Sequence, residues 1–302
     1  MRRLTIAILL LLAPFAISLS PLKAQLLYQI SGNSAQAKSY ILATNKFVDM
    51  TFLDTIPNVF KCFGQCNKVI TEFTVQDYEV IAALRQAALL PDSVKLRNFY
   101  NDKQYDFIDE SLLLTLGMGL DKLARMKPSY LTELYRVELF KKWLQYDENR
   151  SMESFFQAVA AERSTPVYGL DNIGETLYMT FDREPFHWQC EELYNLIENP
   201  ELDVKQEATI RDMYLMGRLT DIAYQVQAPD NRSTISYSDY QVYAKRNIEW
   251  VKRLRPYLHE GHAFIVLDAI YLGGDKGLLQ QLRQAGYKVK PVNRSGAVSV
   301  NK

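Results

Sequence analysis

Residues 263–292 read AFIVLDAIYLGGDKGLLQQLRQAGYKVKPV, and this stretch decides the fold class. It opens with a continuous apolar run rich in β-branched residues, which is typical of a strand that is covered on both faces. Glycines at 273, 274 and 277 permit a tight turn, and the leucines that follow at helical spacing give one apolar face. Gly286 favours a helix stop, and alternating apolar residues beyond it predict another strand. This order of elements indicates an α/β protein.

Strand patterns also occur far from this unit. Alternating or continuous apolar runs predict strands at residues 26–31, 39–43, 69–73 and 167–171. The first two are separated by a turn signal and are expected to form a hairpin. Helical periodicity fills most of the chain between the strands, at about 77–163 and 174–256. We therefore expect one domain, residues 25–293, in which a mixed sheet is assembled from the N-terminal hairpin and from central and C-terminal strands, with a large mostly helical insertion. Residues 294–302 are polar and are expected to form a loose tail.

The first residues have the pattern of a targeting segment. Arg2 and Arg3 precede an apolar run that extends to Leu19, and Ala24 offers a small residue for cleavage before Gln25. The run is short for a membrane span, although a retained anchor is the alternative. The pattern predicts a signal peptide at residues 1–24, export to a bacterial periplasm or the medium, and no stable membrane span after cleavage.

Composition limits the classes of partner. The formal charge is 35 − 35 = 0, and removal of residues 1–24 takes away three basic residues and no acid, giving 32 − 35 = −3. A near-neutral chain without a basic stripe gives no electrostatic argument for nucleic-acid binding. Cys62 and Cys66 are four residues apart on a predicted helix, a marginal spacing for a disulfide. The alternative is that they are half-buried thiols without a partner.

Six collinear motifs carry a resemblance to a known family. They lie in the hairpin at 27–42, in the strand 69–72 that ends in Glu72, in 167–171, in 214–219, in Arg246-Asn247-x-x-Trp250, and in the glycine-rich unit 272–287. Together they resemble the TraB/GumN family, which includes the Tiki proteins, over about residues 26–292. The family has two Gly-x-x-His motifs, and here their positions hold Ala43-Thr44-Asn45-Lys46 and Asp268-Ala-Ile-Tyr271. Both motif histidines are therefore replaced.

The resemblance implies a metal-dependent hydrolase in which imidazoles from the two motifs lie near one metal. A divalent metal needs neutral imidazole or carboxylate lone pairs and an open position for water. In this chain Lys46 offers three donors and no acceptor, and a phenol such as Tyr271 has a reference pKa of about 10. The oxygen ligands that remain are Glu72, Asp171, Asp268 and the side chains of Asn45 and Tyr271.

Two arrangements of these residues follow. In the first, Lys46 occupies the vacated metal position as a fixed charge and pairs with Glu72 or Asp268. In the second, the oxygens hold a hard cation. Arg246 either clamps an anionic group or ties a helix to the edge of the sheet. Glu72 and Asp171 are the candidate catalytic residues, and the candidate pocket residues are Thr44, Asn45, Lys46, Arg246, Asn247, Asp268, Tyr271, Gly273 and Gly274.

Three functions are consistent with these observations. The first is an exported, degenerate hydrolase that needs no cofactor and serves as a binding or accessory protein for a peptide or small molecule. The second is an active peptidase-type hydrolase with a divalent metal in a rebuilt oxygen-ligand site. The third is a structural or interaction protein whose helical insertion is the binding surface. The sequence does not identify a ligand or an oligomeric state.

Overall fold

The computed structural model describes residues 25–74, 78–227 and 237–292. The strands of these residues form a single sheet with the order β4-β3-β5-β2-β1-β6. Their bounds are β1 Leu27–Ser31, β2 Ser39–Thr44, β3 Lys68–Thr71, β4 Val167–Gly169, β5 Ala263–Asp268 and β6 Lys288–Pro291. The mixed α/β class and the assembly of the sheet from distant segments are therefore confirmed.

Four neighbouring strands of the sheet run parallel. β5 lies between β2 and β3, parallel to both, and β4 is parallel to β3. β1 is antiparallel to β2 and to β6, which confirms the predicted N-terminal hairpin. Thr44 lies opposite Asp268, and Thr71 lies opposite Gly169, so the carboxyl ends of the four parallel strands meet at one edge. Sites in α/β proteins form outside this edge of a sheet.

Helices surround the sheet and extend beyond it. Their bounds are α1 Val59–Phe63, α2 Tyr78–Ala87, α3 Asp102–Leu116, α4 Leu120–Leu123, α5 Pro128–Leu144, α6 Met152–Glu162, α7 Ile173–Leu177, α8 Phe186–Glu198, α9 Pro200–Leu215, α10 Leu219–Gln227, α11 Tyr237–Glu260 and α12 Leu278–Gln284. Short 3-10 turns occur at Met50–Thr55, Leu96–Phe99, Glu148–Arg150 and Ala269–Tyr271, and a π turn occurs at Tyr178–Asp182.

The described residues form two hydrophobic cores. The larger one is built from the strands and from helices such as α6, α10, α11 and α12 that cover the sheet. The second core consists of helical residues from α3, α5 and α8, including Leu112, Leu139 and Leu193. Phe47, three residues after β2 ends at Thr44, is part of this second core. The chain therefore passes from one core to the other next to the carboxyl edge of the sheet.

Helix boundaries follow from local chemistry. Asn101 caps α3 in a capping box with Gln104, and Gly117 ends the helix with a φ of 71°. The leucine stripe from 112 to 123, which the sequence suggests is one helical face, is therefore divided between α3 and α4. Gly286 has a φ of 92° and confirms the predicted stop after α12.

Some predictions fall outside the described residues. The signal peptide at residues 1–24 and the tail at 294–302 belong to this group. Among residues 25–74, 78–227 and 237–292, no helix has the length and apolar character needed to cross a bilayer. Cys62, Cys66 and Cys190 are free thiols, and the Cys66 thiol donates to the carbonyl of Cys62 at 3.3 Å.

Candidate functional site

The parallel strands bring four of the predicted site residues to one edge of the sheet. Lys46 follows β2, Glu72 follows β3, Asp171 follows β4 and Asp268 ends β5. Tyr271 lies in the short turn after β5. Lys46, Glu72, Asp268 and Tyr271 line one cavity of about 430 Å³, together with residues from the helical layer. The cavity is therefore located between the sheet edge and the helices of the second core.

A single guanidinium holds the centre of the sheet side. Arg246, from α11, donates to Glu72 at 2.6 Å, to Asp171 at 2.7 Å and to the phenol of Tyr271 at 2.7 Å. The side chains of Arg246 and Asp171 are 10% and 3% exposed, so this ion pair is shielded from water. Trp250, one turn further along α11, donates to the other oxygen of Asp171 at 2.5 Å. Arg246 thus ties α11 to the ends of β3 and β4, and it also lines the cavity.

The electrostatics of this cluster fix its protonation. Burial lowers the pKa of Arg246, but the interactions with Tyr271, Glu72 and Asp171 together raise it by more than burial lowers it. The pKa of Arg246 therefore lies above its usual range. Burial, followed by the charge of Glu72, raises the pKa of Tyr271 well above its ordinary value. The phenol therefore remains protonated at neutral pH and is a poor source of a phenolate ligand.

Lys46 does not have the partners that the sequence suggests. Its Nζ lies 3.6 Å from Glu133 of α5, its side chain is 54% exposed, and it forms no ion pair with Glu72 or Asp268 among the described residues. The prediction of a Lys46 ion pair at the sheet edge is wrong. The reason is that the guanidinium of Arg246 already binds Glu72, whereas α5 brings a second carboxylate to the opposite wall.

Three carboxyl groups beside Lys46 have raised pKa values. Burial, with repulsion from Glu72 and Asp268, raises the pKa of Glu153 to about 8. Burial is also the main cause at Glu207, whose pKa rises to about 7, and at Asp268, whose pKa rises to about 6. Thr44 lies in this group, because its hydroxyl donates to Glu153 at 3.3 Å. Part of this cluster is therefore protonated near neutral pH.

The helical wall contains a second buried guanidinium. Arg136 of α5 is 6% exposed and binds Glu133 and, at 3.3 Å, Glu192 of α8. Asp203 lies 3.7 Å from its Nε. Although burial raises the pKa of Glu133, the charges of Lys46 and Arg136 lower it to about 2. Sequence reasoning missed these residues; the available signal was a glutamate and an arginine three apart on the otherwise apolar face of α5.

Residues 179–184 border the cavity from a π turn and the loop after it. The buried amide of Gln189 holds this segment, because its Nε2 donates to the carbonyls of Phe181 at 2.9 Å and Glu184 at 2.7 Å. Its oxygen accepts from the backbone of Ser129 at 3.2 Å. One side chain therefore fixes the segment, the start of α5 and the start of α8 relative to one another.

Five predicted residues do not line the cavity. Asp171 and Thr44 lie behind its wall, in the contacts described above. Asn247 donates to the carbonyls of Tyr271 at 2.9 Å and Lys276 at 3.1 Å, which fixes the loop after β5. Gly273, with Gly274 beside it, packs against α10: a Cβ on Gly273 would lie 1.9 Å from the carbonyl oxygen of Leu219. The position of the glycine turn is thus explained by close packing.

The residues at this edge do not fit a divalent metal. Glu72 and Asp171 both accept hydrogen bonds from Arg246, whose positive charge would repel a second cation. Within the described part of the chain, no three His, Cys, Asp or Glu side chains are grouped so that they could hold a metal ion. Asp268 alone of the predicted acids has no basic partner there, and one carboxylate is too few for a protein metal site.

A comparison with protein families gives a match over most of the chain. The model of the TraB/PrgY/gumN family matches residues 26–291, which is most of the chain. The protein therefore belongs to the TraB/PrgY/gumN family. No curated protein and no solved structure gives a significant match.

Proposed function

We propose that this protein is an exported member of the family that has lost metal-dependent hydrolysis and acts as a binding or accessory protein. The cavity at the carboxyl edge of the sheet is its binding site. The observation that carries the proposal is the guanidinium of Arg246, which is bound to both candidate catalytic acids, Glu72 and Asp171. Metal ligation or proton transfer by an acid held in this way competes with its ion pair to Arg246.

The cavity itself supports a binding role. Its volume of about 430 Å³ is within the range of small-molecule sites. Aromatic and aliphatic side chains, among them Phe47, Phe181 and Ile210, line it beside the charged groups. Apolar surface with a few placed polar groups is typical of ligand sites.

Metal analysis tests the loss of hydrolysis. Protein purified without chelator should contain no stoichiometric divalent metal, and peptide mixtures should not be cleaved in a chelator-sensitive manner. Glu72→Gln and Asp268→Asn serve as comparison variants. One equivalent of metal that disappears in either variant, or cleavage abolished by Glu72→Gln, would support the rebuilt hydrolase instead.

A blocked cavity tests the binding role. Thr180 is exposed at the rim of the cavity, so Thr180→Trp should obstruct it without disturbing a core. Ligands that raise the melting temperature of the unmodified protein in a small-molecule and peptide screen should lose this effect in Thr180→Trp. Lys252→Trp, on the exposed side of α11, is the matched control. Ligands that stabilise both variants equally bind elsewhere and would contradict the assignment.

Export rests on the basic and apolar pattern of residues 1–24. Expression of the full chain in a Gram-negative host should give periplasmic protein whose first residue is Gln25. Retention in the cytoplasm, or a mature chain that still begins at Met1, would contradict this part of the proposal.

A further inference from the structure

The charges that line the cavity are unbalanced. Six of its lining residues are acidic: Glu72, Glu133, Glu184, Glu192, Glu207 and Asp268. Four are basic: Lys46, Arg136, Arg183 and Arg246. Asp171 and Asp203 add further carboxyl groups just behind the wall. The cavity therefore favours a ligand with positive charge.

The ion pairs show which acidic residues of the cavity have a basic partner and which do not. Arg246 is bound to Glu72 and Asp171, and Arg136 is bound to Glu133 and Glu192. Among residues 25–74, 78–227 and 237–292, Glu207 and Asp268 form no ion pair with lysine or arginine, and Glu153 has only the hydroxyl of Thr44. The acidic groups that line the cavity without a basic partner thus include Glu207 and Asp268.

A second, independent feature is found on the helical wall. The Nε of Arg136 makes no hydrogen bond, because its nearest carboxylate, Asp203, is 3.7 Å away; the side chain is 6% exposed, and Arg136 lines the cavity. The buried hydroxyl of Ser129, which also lines the cavity, has no partner either. A buried donor without a hydrogen bond is unfavourable, so an accepting ligand atom at this wall would be favourable.

We propose that the cavity binds a small organic cation, with a primary ammonium group against Asp268 and Glu207 and a hydrogen-bond-accepting oxygen toward Arg136 and Ser129. This inference rests on the proposed binding function and names its ligand class. An ammonium group has three donors, and the two carboxylates can accept them.

The protonation of the two carboxyl groups agrees with a missing cation. Burial raises the pKa of both groups, and the charge of Asp268 contributes to the shift at Glu207. A bound ammonium would lower both pKa values, because it favours the ionised forms. Binding at neutral pH is therefore accompanied by the release of protons.

The ammonium group of Lys46 competes with a bound cation for Glu207 and Asp268. Its charge lowers the pKa of both Glu207 and Asp268, yet its Nζ is turned toward Glu133 and the side chain is 54% exposed. Removal of this ammonium leaves the two carboxylates with more uncompensated charge. Lys46→Met should therefore bind the cation more tightly.

Three probes of the same size test the charge of the ligand. Aminopentanol is a cation with an accepting oxygen, pentanediol is its neutral counterpart, and hydroxypentanoate is the anion. Isothermal titration near neutral pH, in two buffers of different ionisation enthalpy, should detect binding of aminopentanol with proton release. Its affinity should exceed that of the other two by roughly tenfold or more, the factor expected from one favourable charge contact.

Variants locate the ammonium. Asp268→Asn and Glu207→Gln should each weaken the binding of aminopentanol by roughly tenfold and reduce proton release, while Lys46→Met should strengthen it. Glu249→Gln, which changes an exposed glutamate on α11, is the matched control and should bind normally. Thermal melting of every variant identifies any loss of fold.

The outcomes separate this inference from the proposed function. Equal binding of pentanediol, no binding of aminopentanol, or unchanged binding by the folded Asp268→Asn and Glu207→Gln variants would each overturn the cation assignment. If another molecule binds the unmodified protein but not Thr180→Trp, the binding role of the cavity stands without the cation assignment. Metal bound in place of any ligand would overturn both.

Discussion

At the scale of residues, the geometry explains why arginine and not lysine organises the sheet edge. The acceptors at the ends of β3, β4 and β5 belong to Glu72, Asp171 and Tyr271, and Arg246 reaches all three at once. A guanidinium has five donors in a plane, whereas an ammonium is a point charge that is strongly hydrated. Stacking on Trp250, with 4.6 Å between the guanidinium carbon and the ring centre, adds a cation–π contact.

Replacement of Arg246 should therefore be costly. In Arg246→Met the side chain of Asp171, 3% exposed, would keep the hydrogen bond from Trp250 and the more distant Arg253, at 3.6 Å, but would lose its closest cation. Loss of one partner of a buried ion pair typically costs about 3–5 kcal/mol, so urea denaturation should show a fall of this size in the free energy of unfolding. Arg246→Lys should recover only part of it.

An exposed ion pair on the same helix gives the comparison. Lys252 and Glu249 are each more than half exposed, so Lys252→Met should change the free energy of unfolding by less than about 1 kcal/mol. A similar small change in Arg246→Met would mean that water reaches Asp171 and that the buried network does not exist as described.

The carboxyl group of Glu153 should make stability depend on pH. Its pKa is about 8 in the folded protein and about 4.3 in an unfolded chain. Between these values the folded state binds a proton that the unfolded state has lost, so the free energy of unfolding falls as the pH rises. Glu207 and Asp268 act in the same direction, up to pH values of about 7 and about 6. We expect a lower melting temperature near pH 8 than near pH 5.

The variant Glu153→Gln isolates this contribution. The amide does not titrate, so the decrease in melting temperature from about pH 5 to about pH 8 should become shallower. Glu162→Gln, at the exposed end of the same helix, should leave the profile unchanged. An identical profile for Glu153→Gln would show that the carboxyl group is solvated and titrates normally.

At the scale of elements, the loop after β5 is shaped by contact with α10. A Cβ on Gly273 would lie 1.9 Å from the carbonyl oxygen of Leu219 and 2.9 Å from the next backbone nitrogen, so the backbone of one element must shift. Overpacking of this kind typically costs about 1–3 kcal/mol. Gly273→Ala should therefore unfold at lower urea concentration and disturb the positions of Tyr271 and Asn247.

Gly174→Ala provides a control with the same chemical change. The nearest atom to its added Cβ belongs to the side chain of Asn172, at 3.3 Å, and Gly174 has a helical position in α7, where alanine is the better helix former. Its stability should be equal or slightly higher. Equal stability of Gly273→Ala would mean that α10 is not held against the loop.

The elements themselves were largely predictable because each is encoded locally. The run 264–267 has the β-branched, apolar composition of a buried strand, and it forms the centre of β5. Gly286 ends α12 because glycine adopts the positive φ of a helix stop at no steric cost. The division between α3 and α4 was not predicted, since leucines at helical spacing continue across Gly117 and only the turn interrupts them.

At the scale of the whole molecule, the contents of the cavity could not be read from the sequence. The sheet side was predictable, because residues that follow parallel strands converge at one edge. The helical side depends on which face of α5 meets the sheet, and periodicity gives a buried face without naming its partner. The sequence therefore did not show that Glu133 and Arg136 line the same cavity as Asp268. It also did not show that Lys46 binds Glu133 and not Glu72.

Phe47 connects the two cores at this point. It is 5% exposed, it belongs to the helical core, and its ring contacts Phe140 of α5 and Tyr146 edge-on, with centres 4.7 and 5.2 Å apart. The neighbouring Val48 belongs to the sheet core. The two residues therefore attach α5 to the end of β2, and they fix the distance between the walls of the cavity.

Phe47→Ala should loosen this attachment. Truncation of a buried phenylalanine typically costs about 3–5 kcal/mol. The lost contacts with Phe140 and Tyr146 are the ones that hold the segment after β2 in the helical core. Besides a lower free energy of unfolding, hydrogen exchange should become faster in α5 and in residues 179–184, while β5 keeps its protection. Phe60→Ala, which removes a ring that is 44% exposed on α1, is the control and should leave α5 unchanged. Uniform acceleration across β5 and α5 would instead indicate that the two cores open only together, and that the cavity is a fixed part of one cooperative unit.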